Sequence, residues 1–292
     1  MLRTLVPYLT RASVLLAAIT LMASSLVFAQ GSDHPNDQPL RVAADVGFAP
    51  FAYTLASGET VGFAVDVGAE IANRLGRPGV EIIDVNFSAI FAGLFAKRYE
   101  FIIAPTNITE ERSLEMLFAE PYMETGLGFL VRNADTMASL EDLAGKVVTV
   151  NNGSVSDTWA TENAERYGFT VQRYDKNADG VEAVVINRAF ANIADLPASQ
   201  YAATQNPAVK VDYVEYLNRN FGHVFRNDDV EFRNQVECIV EGMKLDGTMA
   251  ELHQEWFGDM PGVHTAMNTV WVGYGAPGFR GYELTPHQPC MP

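Results

Sequence analysis

The amino-acid sequence predicts an α/β fold made of two similar lobes, each built on a doubly wound parallel sheet. Between residues 40 and 104, short runs of apolar and β-branched residues alternate with amphipathic stretches. The same order of elements returns between residues 139 and 194. Strands that alternate with helices are typical of parallel sheets, and a repeated order indicates two related units.

The first cycle begins with a short strand, Leu40–Ala44, that leads into a polar loop. An amphipathic helix over residues 61–75 follows, and it ends at Gly76 because glycine commonly terminates helices. The rest of the cycle consists of a strand at residues 80–85, a helix at 89–95 and a buried strand at 99–104.

The second cycle opens with a short helix at residues 139–143, for which Ser139 is a good N-cap. Its later elements are a strand at 146–150, a helix at 157–167, a strand at 170–174, a helix at 179–187 and a buried strand at 189–194. A long amphipathic helical region, residues 230–256, breaks at Asp246-Gly247. The final segment, residues 258–292, is rich in glycine and proline and is expected to be a largely irregular tail.

The first 29 residues have the pattern of a secretory signal peptide. Arg3 and Arg11 give a positive start, residues 12–28 are apolar or small without an acid, and Ala29 ends a small-residue cleavage site. A membrane anchor is the alternative, but the run is short for a spanning helix and Ser and Thr interrupt it. We therefore expect a protein that is exported and whose signal peptide is cleaved.

Charge limits the classes of partner. The chain carries 20 Lys and Arg against 36 Asp and Glu, a formal net charge of −16. So acidic a protein is a poor binder of nucleic acid or anionic membranes. The five His and two Cys show no metal-ligand spacing, so neither a metal site nor a cofactor is expected.

The two cysteines, Cys238 and Cys290, are predicted to form one disulfide. Export permits oxidation, and a tail with few helix or strand signals would fray unless something held it. The loop between them contains about 50 residues, and the chain-entropy model values its closure at about 4 kcal/mol. The alternative is two unrelated free thiols.

The strongest candidate for a binding site follows the strand at residues 99–104. Thr109 is a good N-cap, and acids follow it in the first helical turn. Arg112 is electrostatically misplaced at the positive end of a helix, unless it reaches an anion held there. A carboxylate shared by backbone N–H groups and the guanidinium would explain it. An ordinary salt bridge to Glu115 or Glu120 is the alternative.

Other candidates follow strands at the same kind of sheet edge, where open α/β sheets bind ligands. Asp195 comes after the buried strand of the second lobe and suits an ammonium group, although Asp is also a favoured N-cap. Asp45 and Phe48 follow the first strand, and Phe87 follows another. These aromatics could wall a pocket or pack in the core, as is expected for Phe51.

Five segments in order resemble one protein family between residues 40 and 257. They are Asp45 with Pro50-Phe51, the segment 61–66 (VGFAVD), the segment 107–112 (NITEER), the segment 139–146 (SLEDLAGK), and Asp246-Gly247-Thr248 followed by Trp256-Phe257-Gly258. The chain is similar to the polar amino-acid-binding proteins of ABC importers, the family 3 periplasmic solute-binding proteins. The resemblance implies a type II periplasmic-binding-protein fold, in which two α/β lobes joined by two hinge strands close on the ligand.

The resemblance also implies roles for individual residues. Arg112 would hold the α-carboxylate of an amino acid and Asp195 its α-ammonium, while Phe48 and Phe87 would wall the side-chain pocket next to Asp45. Two further polar contacts would come from Asn107 and Ser154. The sequence departs from the family pattern at Ala64, Pro105 and Val155.

These patterns predict a periplasmic component of an ABC importer that binds an amino acid with a neutral polar or cationic side chain, performs no chemistry and is monomeric. Lobe 1 would comprise residues 40–131 and 222–257, lobe 2 residues 132–221, and the tail, residues 258–292, would pack on lobe 1. One alternative is an enzyme on the same fold, of the cyclohexadienyl dehydratase type, with Glu124, Asp45 or Asp195 as general acid. The other is a sensory ligand-binding module.

Overall fold

A computed structural model describes residues 33–291. The expected signal peptide lies outside the described residues. Within them the chain forms a nine-stranded mixed sheet with helices packed against it, which confirms the predicted α/β class. No helix in this part of the chain combines the length and apolarity that crossing a bilayer requires.

The strands alternate with helices in two cycles, as the sequence predicts. The strands are β1 (Leu40–Ala44), β2 (Tyr53–Thr54), β3 (Thr60–Val61), β4 (Val80–Asp84), β5 (Phe101–Asn107), β6 (Met116–Phe118), β7 (Met123–Arg132), β8 (Val147–Asn151), β9 (Thr170–Tyr174), β10 (Ala191–Asp195) and β11 (Val209–Arg226). The helices are α1 (Phe63–Arg74), α2 (Phe87–Phe95), α3 (Glu110–Glu115), α4 (Val155–Tyr167), α5 (Asn177–Val185), α6 (Leu196–Gln205), α7 (Val230–Leu245) and α8 (Thr248–Phe257). Short 3₁₀ turns occur at Leu140–Leu143 and Ala266–Asn268.

The large sheet has two parallel halves. In the first half β1 lies between β4 and β5, parallel to both, and in the second half β8 lies between β9 and β10, parallel to both. Two antiparallel strands join the halves, in the order β5-β11-β7-β10. The long strand β11 pairs with β7 over most of its length and with β5 from Phe221 onward.

This arrangement turns the carboxyl ends of the two halves toward each other. Asn107, at the end of β5, pairs with Phe221 of β11, while Asp195, at the end of β10, pairs with Leu127 of β7. Between these points the register of β11 against β7 shifts between Glu215 and Arg219. The loops that follow β1, β5, β8 and β10 therefore meet in the middle of the molecule.

One predicted boundary differs in a way that affects the site. The sequence predicts that the third strand ends at residue 104. The next residue, Pro105, cannot donate a ladder hydrogen bond and is therefore unfavourable inside a sheet. In the structure β5 continues to Asn107, and the register of β11 shifts between Gly222 and Val224 opposite this stretch. Since the shift leaves Pro105 outside the paired register, the strand tolerates it and carries Asn107 to the sheet edge.

The C-terminal tail packs along α7, without helix or strand beyond the 3₁₀ turn and one bridge between Tyr274 and Glu283. The predicted disulfide between Cys238 and Cys290 is confirmed, with the two Cα atoms 5.0 Å apart. Gly242, one turn along α7 from Cys238, allows this close approach, because a Cβ atom there would lie 2.1 Å from the carbonyl oxygen of Cys290.

Candidate functional site

A small cavity lies where the carboxyl ends of the two halves meet. All seven residues predicted to bind ligand line it: Asp45, Phe48, Phe87, Asn107, Arg112, Ser154 and Asp195. Five residues not predicted as ligand contacts complete the wall: Ala104, Pro105, Asn151, Val155 and Ser156. The free volume among them is about 20 Å³, because the polar groups of the wall bond to one another.

Arg112 is presented to the cavity by the short helix α3. The side chain of Thr109 caps this helix, as predicted, by accepting a hydrogen bond from the backbone N–H of Arg112 at 3.2 Å. The guanidinium donates to the carbonyl oxygens of Asn107 at 3.0 Å and of Gly153 at 3.4 Å. It also lies over the rings of Phe87 and Phe91, with centroid distances of 5.5 and 5.2 Å.

The guanidinium of Arg112 has no carboxylate partner among the residues that the structure describes, so the predicted alternative of an ordinary salt bridge is not what it forms. Glu120 is paired with Lys244 instead. Burial lowers the pKa of Arg112 to about 10, and the nearby Asp195 opposes that shift. Arg112 is therefore a half-buried cation at neutral pH, and its hydrogen-bond acceptors in the described part of the chain are uncharged carbonyl groups.

Asp195 is the corresponding buried anion on the other half of the sheet. Its backbone occupies the N-cap position of α6, but its side chain makes no capping hydrogen bond, so the capping alternative does not describe it. The carboxylate instead accepts hydrogen bonds from Asn107 at 2.8 Å and Thr125 at 3.2 Å. Burial raises the pKa of Asp195 to about 6, and these two hydrogen bonds limit the rise.

Asp45 has partners that the sequence did not suggest. One carboxylate oxygen accepts from the side-chain amide of Asn151 and the other from the ammonium group of Lys176, each at 2.9 Å. Burial raises the pKa of Asp45, while the hydrogen bond from Lys176 acts against the rise. Asn151 could have been found by the rule that identified Asp195, since it also ends a buried strand. Nothing in the sequence pattern pointed to Lys176 or Thr125.

The remaining predicted residues form the wall and its support. Ser154 caps α4, accepting from the N–H of Asp157 at 3.1 Å, and its hydroxyl donates to the carbonyl of Asn151 at 2.6 Å. Phe48 stacks on Phe51 with ring centroids 5.9 Å apart. Phe51 is fully buried in the core, as expected.

One candidate residue of the enzymatic alternative does not reach the cavity. Glu124 lies on β7, where its carboxylate accepts a hydrogen bond from the backbone N–H of Ala266 at 2.6 Å. It lines a separate groove together with Tyr201 and His253. The expectation that Glu124 could act as a general acid at the ligand site is wrong, because Glu124 lines this other groove and not the cavity.

The sequence profile of the bacterial extracellular solute-binding proteins, family 3, matches residues 40–259. A probable amino-acid ABC transporter-binding protein of Haemophilus influenzae is 28% identical over 222 residues, 75% of this chain and 84% of that protein. The histidine-binding periplasmic protein of Salmonella typhimurium is 26% identical over 231 residues, 75% of this chain and 88% of that protein.

Solved structures show the same fold. An ancestral arginine-binding protein bound to arginine superposes with a TM-score of 0.72 and 31% identity, covering 76% of this chain and 100% of that one. An ancestral amino acid-binding protein described as a precursor of cyclohexadienyl dehydratase gives a TM-score of 0.69 and 31% identity, covering 75% of this chain and 95% of that one. With the profile match over residues 40–259, these findings show that the chain belongs to the bacterial extracellular solute-binding proteins of family 3.

Proposed function

We propose that this protein captures an α-amino acid in the cavity between its two halves and delivers it to an ABC importer. One observation carries the proposal. Arg112 and Asp195 line the same cavity from opposite halves, and within residues 33–291 neither forms an ion pair. Charged groups that are largely shielded from water, as the buried Asp195 and the half-buried Arg112 are, usually have a partner of opposite charge, so an anion and a cation are the expected ligand groups. An amino acid carries both on one carbon atom.

The two charged groups of the ligand would replace hydrogen bonds that residues of the cavity wall now make to one another. The ligand carboxylate would take the guanidinium of Arg112, which now donates to backbone carbonyls. The ligand ammonium would take Asp195, which now accepts from Asn107 and Thr125. The ammonium would also lower the pKa of Asp195, because a nearby cation favours the ionised carboxylate.

We further propose that the halves are lobes that open and close around hinges in β7 and β11. The pairing of these strands supports hinges near Thr125–Leu127 in β7 and Glu215–Arg219 in β11. The register of β11 against β7 shifts between Glu215 and Arg219, and β7 begins to pair with β10 at Leu127. The lobe boundaries expected from the sequence, 131/132 and 221/222, lie a few residues C-terminal to these positions. Ligand contacts from both lobes would favour the closed form, which the importer would recognise.

The protein would act outside the cytoplasm, after cleavage of the signal peptide, as a monomeric binding protein without turnover. The enzymatic alternative has one supporting observation, since Asp195 is a buried carboxyl with a pKa of about 6. A group of that kind can serve as a general acid. Incubation with prephenate and arogenate, followed by detection of their dehydration products, tests this alternative directly.

Calorimetric titration with the common amino acids tests the binding proposal. At least one should bind the wild-type protein, whereas Arg112→Ala and Asp195→Asn should weaken binding by about 30-fold to several thousandfold, because each leaves one ligand charge buried without a partner. The decarboxylated amine of the same ligand should bind the wild-type protein as poorly as the amino acid binds Arg112→Ala.

Arg132→Ala is a matched control, since Arg132 pairs with Asp135 on the surface beyond the cavity. It should bind as the wild type does. Unchanged affinity in either cavity variant, with the fold intact by circular dichroism, would remove Arg112 and Asp195 from the site. A wild-type protein that binds no amino acid would overturn the proposed function.

A further inference from the structure

We propose that Lys176, by pairing with the cavity residue Asp45, makes the site selective for amino acids whose side chains are polar and uncharged. The inference rests on the proposed function and narrows it. Both carboxylate oxygens of Asp45 are already bonded, one to Lys176 and one to Asn151, and Asp45 is only 3% exposed. A cationic ligand side chain would therefore meet a neutral ion pair instead of an unpaired acid.

Lys176 is held in this place by its surroundings. It occupies the N-cap position of α5, and its ammonium group also contacts Asp84 at the end of β4, with an N–O distance of 2.6 Å. Its aliphatic stem packs against Gly47, where a Cβ atom would lie 3.2 Å from the Cδ of the lysine and where φ is +128°. Glycine alone adopts that backbone conformation without strain. The N–H of Ala178 bonds to the carbonyl of Gly47 at 3.3 Å.

The charges around the cavity indicate that a cationic side chain would be disfavoured. The carboxylate and ammonium of an amino acid would use Arg112 and Asp195, which leaves Asp45 and Lys176 with no net charge between them. Asp84, the second partner of Lys176, has a side chain that is 54% exposed, so water screens its charge from the cavity. A cationic side chain would then lie near Lys176 and would need to displace it from Asp45. Like charges at such distances repel strongly in a buried site. Without Lys176, the same carboxylate would be a buried, unpaired anion and would attract cations.

Asn151 indicates what the side chain should carry instead. Its amide nitrogen must face Asp45, since a carboxylate can only accept, and this fixes the orientation of the amide. The amide oxygen then points elsewhere, is buried, and has no hydrogen-bond partner among the described residues. Because a buried acceptor without a donor is costly, a ligand with an N–H or O–H in its side chain would satisfy it.

The test uses two pairs of probes that match in length and differ in charge: L-citrulline with L-arginine, and L-glutamine with L-ornithine. In the wild type, the neutral member of at least one pair should bind more tightly than its cationic partner. Lys176→Met keeps the stem and removes the charge. It should shift the ratio of affinities toward the cation by about tenfold or more, which corresponds to about 1.4 kcal/mol.

The double variant Lys176→Met with Asp45→Asn separates the role of charge from that of shape, since it also removes the carboxylate that Lys176 neutralises. It should not show the increased relative affinity for the cation that is expected of Lys176→Met alone. Lys210→Met is the matched control, because Lys210 pairs with Asp212 on β11 away from the cavity, and it should keep the wild-type ratio.

A wild type that binds an amino acid but prefers arginine to citrulline and ornithine to glutamine would overturn this inference and leave the proposed function standing. A Lys176→Met protein with the wild-type ratio would also overturn it. A protein that binds no amino acid would instead contradict the proposed function itself.

Discussion

Two groups of charged side chains inside the protein are its most unusual feature. In the cavity, Arg112 and Asp195 are surrounded by uncharged partners, whereas Asp45 is neutralised by Lys176. A second group of buried charges lies under the C-terminal tail, where Glu120, Glu237 and Glu241 place carboxylate oxygens within 4.8 Å of one another. We expect this second group to make the stability of the protein depend on pH.

The three carboxylates share few compensating groups. Lys244 contacts Glu120, the imidazole of His287 bonds to Glu241 at 2.7 Å, and Arg233 lies 3.9 Å from Glu237. Tyr274 adds no charge to this group, because burial and the nearby Glu241 and Glu237 raise the pKa of its phenol above its ordinary value. Burial and the neighbouring Glu120 raise the pKa of Glu241 from 4.5 to about 8, with Lys244 acting against the rise.

Glu241→Gln should therefore stabilise the protein at alkaline pH. Since the pKa of Glu241 is raised on folding, the folded state keeps a proton that the unfolded state releases above pH 4.5. The stability it contributes is full below that value and is lost as pH rises through 8. Glutamine cannot ionise and avoids the loss. In thermal unfolding at pH 5, 7 and 9, the advantage of the variant should grow with pH, by about 2–4 °C for each kcal/mol in a chain of this size.

Glu255→Gln, an exposed change on α8, should show no such trend. A difference in melting temperature between Glu241→Gln and wild type that is the same at pH 5 and pH 9 would contradict this account of Glu241.

The acidic residues at strand ends could be predicted from the sequence. The residues from distant parts of the chain that bond to buried acids could not. Asp45 and Asp195 could be identified because acids directly after buried strands must lie at one sheet edge. Lys176 reaches Asp45 from 131 positions away in the sequence, and its role depends on how the two halves meet. The hydrogen-bond partner of Glu241 is likewise a distant residue, His287 of the tail, whose position no local pattern specifies.

At the scale of elements, the tail and α7 form one unit. The tail supplies backbone N–H groups of Trp271 and Gly275 to the carboxylates of Glu120 and Glu237, at 2.9 and 2.6 Å. The disulfide spans 52 positions and ties the end of the tail to α7. The sequence predicted the disulfide and the irregular tail from its composition, but it gave no sign that the tail covers a group of buried acids.

Replacing both cysteines, in Cys238→Ser/Cys290→Ser, should destabilise the protein by about 2–5 kcal/mol, because the unfolded chain regains the entropy of a long loop. Amino-acid affinity should stay unchanged, since the described tail residues, 258–291, form no hydrogen bond or ion pair with Arg112 or Asp195. Chemical denaturation and calorimetry measure the two quantities. Lost affinity at full folding would show that the tail supports the binding site.

At the scale of the whole molecule, the repeated order of strands and helices was the feature that predicted the fold. The halves β4-β1-β5 and β9-β8-β10 follow from it directly. The positions of the joining strands β7 and β11 could not be predicted from the repeated order of elements. Nothing in their local composition distinguishes a strand that changes partners along its length. They put the carboxyl ends of both halves around one cavity, and any motion between the halves must bend them.

The central claim is that the protein closes on an amino acid held by Arg112. Small-angle X-ray scattering tests it most directly, on the wild type and on Arg112→Ala, each with and without a saturating concentration of the amino acid that titration identifies. The account predicts that the ligand reduces the radius of gyration of the wild type and leaves that of Arg112→Ala unchanged. An identical radius of gyration for the wild type with and without bound ligand would contradict it.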